Sequence, residues 1–132
     1  DVLLSLSKIT DSIDLLSTGL PQQLTIFRHV ISSSGKIPPV IDSADVLEDP
    51  ESILSVLCES IGIPFSQRML SWDPGPRSCD GLWGKYWYDS VWKSSGFSPP
   101  SPKAGELSEH LYSVLEESTM IYEELREMRI RT

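Results

Sequence analysis

The sequence predicts a mainly helical segment interrupted by one short buried strand, on three observations. Apolar residues recur at three- and four-residue spacing over several stretches, the signature of helices with one buried face. The β-branched pair Val40-Ile41 follows two prolines that exclude helix. Between Ser66 and Pro102 the periodicity vanishes, in a run that holds all four tryptophans.

The elements follow in chain order. Val2, Leu3, Leu4, Leu6, Ile9, Ile13 and Leu16 predict a first helix that Gly19 stops. Pro21 opens a second in its first turn, with Leu24, Ile26, Phe27, Val30 and Ile31 as the buried side and Ser32-Ser33-Ser34-Gly35-Lys36 as the polar loop that ends it. A strand near 39–42 comes next, then a turn at Asp45-Val46-Leu47. Asp49-Pro50-Glu51 sets a cap, a proline and an acid in the order that starts a helix. Ile53, Leu54, Leu57, Cys58 and Ile61 give that helix its apolar face; Gly62 ends it and Pro64 prevents its resumption. After the aperiodic stretch and the spacer Ser98-Pro99-Pro100-Ser101-Pro102, a last helix is expected over 106–129. Its buried stripe would be Leu107, Leu111, Val114, Leu115, Met120, Ile121, Leu125 and Met128.

Composition bounds the function. With 132 residues, 39% of them hydrophobic and 23% charged, the chain holds one domain's worth of core and is too short for two sizeable domains. A formal charge of −8 argues against a broad nucleic-acid surface. No apolar run is long enough to span a bilayer. The two cysteines, Cys58 and Cys79, make no disulfide scaffold, so a reducing compartment is expected. Cys58 reads as a small core residue and Cys79 as a loop thiol with no basic partner nearby. His29 and His110 each lack a second ligand at helical spacing, and the pairs Glu116-Glu117 and Glu123-Glu124 read as a solvated helix face. No metal site and no catalytic group is expected among these residues.

What remains is Trp72 through Tyr88. Gly81 and Gly84 permit close backbone approach, Arg77 and Lys85 can pair with phosphate, and Trp83 can stack on a flat base. That suits a lid over an anionic ligand. The same residues also suit a loop anchored on the core by its indoles, with its cations in solvent. A mere linker is excluded, because four exposed indoles would forfeit the largest burial energies available.

The order of parts resembles the P-loop sulfotransferases. Asp1-Val2-Leu3-Leu4-Ser5 is similar to the DVxxS segment that follows a strand end in that family. Val40-Ile41-Asp42 with Asp45-Val46-Leu47-Glu48-Asp49-Pro50 resembles its xYExLxxDP passage, and Ile53 to Pro64 the helix ending LxxFLGxP. Asp80-Gly81-Leu82-Trp83-Gly84-Lys85 looks like its late RKGxxGDWK loop. More closely, Met69 to Phe97 resembles a divergent branch reading MLsWPxGP…DGxWxxyWYxxVxxSTGF, some plant members of which are fused to, or named after, branched-chain aminotransferases; nothing in this chain resembles a pyridoxal-phosphate enzyme. The likeness runs from Asp1 to about Arg126. It departs from the family in having no literal Arg-Lys-Gly triplet, with Arg77 displaced.

The resemblance implies an α/β fold: residues 1–132 as the C-terminal portion of one three-layer P-loop domain, with a parallel sheet whose other strands lie mostly upstream, 66–102 as a Trp-rich irregular loop and 106–129 as the C-terminal helix. It implies the donor 3′-phosphoadenosine 5′-phosphosulfate (PAPS), a small-molecule acceptor hydroxyl or amine, and an upstream part of the same polypeptide carrying the phosphosulfate loop and catalytic base. Ser5 would hold the 3′-phosphate, Gly81 with Arg77 or Lys85 would complete the cradle, and Trp83 would cover the nucleotide. This segment alone would not catalyse transfer, and a cytoplasmic setting is expected. Two other readings stand beside it. One is a sulfotransferase-fold binding or scaffold module without activity. The other is an unrelated helical interaction domain whose tryptophans form a partner patch.

Overall fold

The computed structural model describes residues 2–101 and 105–132. Asp1 of the DVxxS-like motif and Pro102 of the spacer lie outside them. Seven α-helices run through the described residues: α1 (Val2–Leu6), α2 (Leu20–Ser34), α3 (Ser43–Glu48), α4 (Pro50–Ile61), α5 (Gly84–Trp87), α6 (Asp89–Trp92) and α7 (Tyr112–Glu127), with three short 3-10 turns at Leu16–Thr18, Gln67–Met69 and Glu109–Leu111. The chain divides into two compact units, residues 1–42 with 101–130, and residues 43–100 with 131–132. No helix among the described residues is long and apolar enough to cross a membrane.

In the first unit, the helix expected as far as Leu16 stops at Leu6. Short polar side chains capture the backbone beyond it: Ser12 N–H donates to Thr10 Oγ1 (3.2 Å), Ser17 N–H to Asp14 Oδ1 (2.8 Å), and Thr18 Oγ1 to the Leu15 carbonyl (2.6 Å). These local bonds compete with helix. The Ser17 hydroxyl and amide also hold the Asp14 carboxyl below its ordinary value. Helix α2 starts at Gly19-Leu20-Pro21 as expected but runs through the serine triplet. There Ser33 and Ser34 hydroxyls bond back to the carbonyls of His29 (2.8 Å) and Val30 (2.7 Å), and Gly35 ends the helix in the left-handed conformation (φ 68°).

Helix α2 packs on α7, and an ion pair joins them, Arg28 Nη2 to Glu124 Oε1 at 2.6 Å. The last helix is shorter than 106–129 because a 3-10 turn at Glu109–Leu111 precedes it. Leu111 (1% exposed), Ser118 and Leu125 form its buried row, with Val114 and Ile121 half-buried between them. Steps of three and four alternate along that row, which is what one face of a 3.6-residue helix requires. Met120, expected in the stripe, lies on the opposite side and is 74% exposed; Leu115 and Met128 are exposed as well.

The strand expected near 39–42 is reduced to a single parallel bridge, Val40 to Arg129, and no strand forms among the described residues. Ile130 N–H donates to the Val40 carbonyl at 2.8 Å. The ladder cannot lengthen, because Pro38 and Pro39 carry no N–H and α3 begins at Ser43. Asp42 accepts a hydrogen bond from the Tyr122 hydroxyl. That bond, then burial, raises the phenol above its ordinary value. Its stabilising contribution is therefore full below the ordinary tyrosine range and lost as pH rises through the raised value.

In the second unit, the turn expected at Asp45–Leu47 is instead helix α3, which packs on α4. Helix α4 follows its sequence signals. Asp49 caps it by accepting from Ser52 N–H (3.1 Å), Pro50 and Glu51 open it, and Gly62 closes it at φ 74°. Ile53 and Cys58 are its buried residues, and the Cys58 thiol lies 3.8 Å from Met69 Sδ. Ile61 is half exposed.

Candidate functional site

The aperiodic segment is stapled at its base. Ser71 and Gly96 form an antiparallel bridge, Trp72 N–H donates to the Ser95 carbonyl (3.0 Å), and Gly75 N–H donates to the Trp92 carbonyl (2.8 Å). The Trp72 indole N–H finds Ser94 Oγ at 3.1 Å, and its ring meets Phe97 edge-on at 5.3 Å. A half-buried indole needs such a partner for its N–H.

Asp80 sits at the centre. Its Oδ2 accepts from Arg77 N–H and from Trp92 Nε1, each at 2.7 Å. Those bonds, the Arg77 amide first, hold the carboxyl below its ordinary value. The contribution is full above the ordinary carboxylate range and lost as pH falls through the lowered value. Asp80 N–H closes a turn on the Arg77 carbonyl (3.1 Å), and Gly81 follows in the left-handed conformation (φ 70°). Gly84 is buried. A methyl there would lie 3.1 Å from Asp80 Cβ and 3.3 Å from the Trp92 ring. The space that Gly84 keeps open is thus filled by the protein's own indole rather than left for a ligand.

Outside this knot the segment presents rings and cations. Trp83 is 71% exposed and Tyr86 66%, with centroids 6.0 Å apart. Lys85 Nζ lies 4.9 Å over the Tyr86 ring. Arg77 donates one guanidinium N–H to the Asp73 carbonyl (3.0 Å) and is otherwise exposed. Neither cation is in an ion pair among the described residues. The burial argument for four indoles therefore holds for Trp72 and Trp92 and fails for Trp83 and Trp87, whose rings face solvent.

Of the residues singled out from sequence, Arg77, Gly81, Trp83 and Lys85 share this one segment. Ser5 lies half-buried within α1, in the other compact unit. Sequence reasoning missed Asp80 and Trp92. The usable signal was an indole N–H that needs an acceptor in a loop with few acids. His29, His110 and Cys79 are exposed, and no group of three His, Cys, Asp or Glu among the described residues is placed to hold a metal ion.

Two curated relatives from Arabidopsis thaliana are similar to this chain. Branched-chain-amino-acid aminotransferase-like protein 1 is 40% identical over 113 residues, and branched-chain-amino-acid aminotransferase-like protein 2 is 36% identical over 108. The matches cover 84% and 82% of this chain but 20% and 19% of those proteins, so the chain spans about a fifth of their length. No solved structure matches. The family model of the sulfotransferase domain matches residues 10–128, and the chain belongs to that family.

Proposed function

We propose that this chain contributes the nucleotide side of a PAPS-dependent sulfotransferase, the intact protein moving a sulfuryl group to an acceptor hydroxyl or amine. The observation that carries the reading is the coincidence, within a sulfotransferase domain, of an exposed indole and two cations that are in no ion pair among the described residues, on one stapled segment. These residues fit a nucleotide bisphosphate. Trp83 offers a flat face for a base, and Arg77 and Lys85 offer charge for phosphate. Gly81 supplies a turn without a side chain, and Ser5 a hydroxyl donor to the 3′-phosphate. The reaction breaks the donor's S–O bond and leaves adenosine 3′,5′-bisphosphate. Positioning and charge stabilisation carry most of such a transfer. The catalytic base and phosphosulfate loop are assigned to sequence outside this chain.

Residues 1–132 are in this reading the C-terminal portion of one P-loop domain. The parallel direction of the bridge between Val40 and Arg129 supports that reading. One observation favours a second reading, an inactive binding or scaffold module: no Arg-Lys-Gly triplet precedes Lys85.

The test is a fluorescence titration of adenosine 3′,5′-bisphosphate into the intact polypeptide carrying this chain. Base–indole stacking contributes about 1–3 kcal/mol, so Trp83→Leu is expected to weaken binding roughly tenfold. Unchanged affinity in Trp83→Leu would remove this ring from the site.

A further inference from the structure

We propose that Asp80 and Trp92 form a positioning pair, a clasp that holds residues 77–85 in the conformation that binds the nucleotide; the inference rests on the reading above. A carboxylate in the middle of an anion-binding segment is an electrostatic handicap and needs a separate reason. The geometry supplies one. A single oxygen, Asp80 Oδ2, accepts both the Arg77 amide and the Trp92 indole N–H at 2.7 Å, while the Trp92 carbonyl accepts Gly75 N–H at 2.8 Å. The carboxylate thus ties the start of the segment to a helix twelve residues on, and Gly84 packs against both partners. Arg77, Gly81, Trp83 and Lys85 all lie within five residues of Asp80 in the chain. Among the described residues the Asp80 side chain bonds only to main chain and indole, not to the cations' side chains. Its role is to preset the segment before ligand arrives, which lowers the ordering cost of binding.

The clasp and a simple charge effect predict opposite signs. Were Asp80 only a negative charge near phosphate, removing it would tighten binding or leave it unchanged. If it is a clasp, Asp80→Ala weakens binding. Adenosine 3′,5′-bisphosphate is titrated into the intact polypeptide as wild type, Asp80→Ala, Asp80→Asn and Trp92→Phe, with near-UV circular dichroism confirming that each is folded. Asp80→Ala and Trp92→Phe are expected to bind about tenfold more weakly. Asp80→Asn keeps an acceptor oxygen and is expected to stay within about threefold of wild type. Trp92→Phe keeps a ring against Gly84, so it reads the clasp even if Asp80→Ala does not fold. Wild-type binding that both Asp80→Ala and Trp92→Phe leave unchanged or tighten overturns this inference alone. No binding by wild type overturns the nucleotide reading and the clasp with it.

Discussion

Leu111→Ala is expected to lower folding stability by about 3 kcal/mol, the middle of the range for a buried leucine that leaves a cavity. Leu111 is 1% exposed, at the point where a 3-10 turn runs into α7, and it heads the buried row that continues through Ser118 and Leu125. Tight interiors relax little around a lost isobutyl group, so the loss combines the transfer term with the cavity term. Met120→Ala on the same helix is the control. At 74% exposure it is expected to change stability by no more than about 0.5 kcal/mol. Urea unfolding followed by far-UV circular dichroism measures both. Equal midpoints would contradict the assignment of α7's buried face.

Gly84→Val is the second large effect, and it acts by overpacking. The added Cβ would sit 3.1 Å from Asp80 Cβ and 3.3 Å from the Trp92 ring, and the hydrogen bond between those two side chains gives neither room to retreat. Overpacking of this kind costs about 1–3 kcal/mol, more than the helix propensity gained on replacing glycine. The near-UV signal of the indoles should fall along with the unfolding midpoint. Gly81→Ala makes the contrast. Nothing lies within 4 Å of its added methyl, and only its left-handed backbone (φ 70°) is strained, at about 1 kcal/mol. If Gly84→Val were as mild as Gly81→Ala, the packing described around Asp80 would be wrong.

The sequence was most legible where signals are local. Helix α4 is written in consecutive residues, a capping Asp49, Pro50 and Glu51 at one end and Gly62 at the other, and the structure follows them. Apolar spacing over 2–16 predicts a longer helix than α1 because it takes no account of Thr10, Asp14 and Ser17, whose side chains compete with the helix for backbone partners. At Ser33 and Ser34 the hydroxyls turn instead to carbonyls four residues back, which a helix tolerates, and α2 runs through them to Gly35. The strand at Val40-Ile41 needed ladder partners, and two prolines limit it to one bridge. Family membership was visible in the order of motifs from Val40 to Phe97, and the family comparison bears it out. The clasp was not visible. A bond from Asp80 to an indole twelve residues away has no period, and only the folded segment places them together.

The most direct test is calorimetric titration of adenosine 3′,5′-bisphosphate into the intact polypeptide, wild type beside Ser5→Ala. The expected result is micromolar affinity, about −8 kcal/mol, weakened roughly tenfold when the Ser5 hydroxyl is removed. A folded protein that takes up no nucleotide, or one that binds it equally well without the Ser5 hydroxyl, would contradict the assignment of this chain to the 3′-phosphate side of a sulfuryl-transfer site.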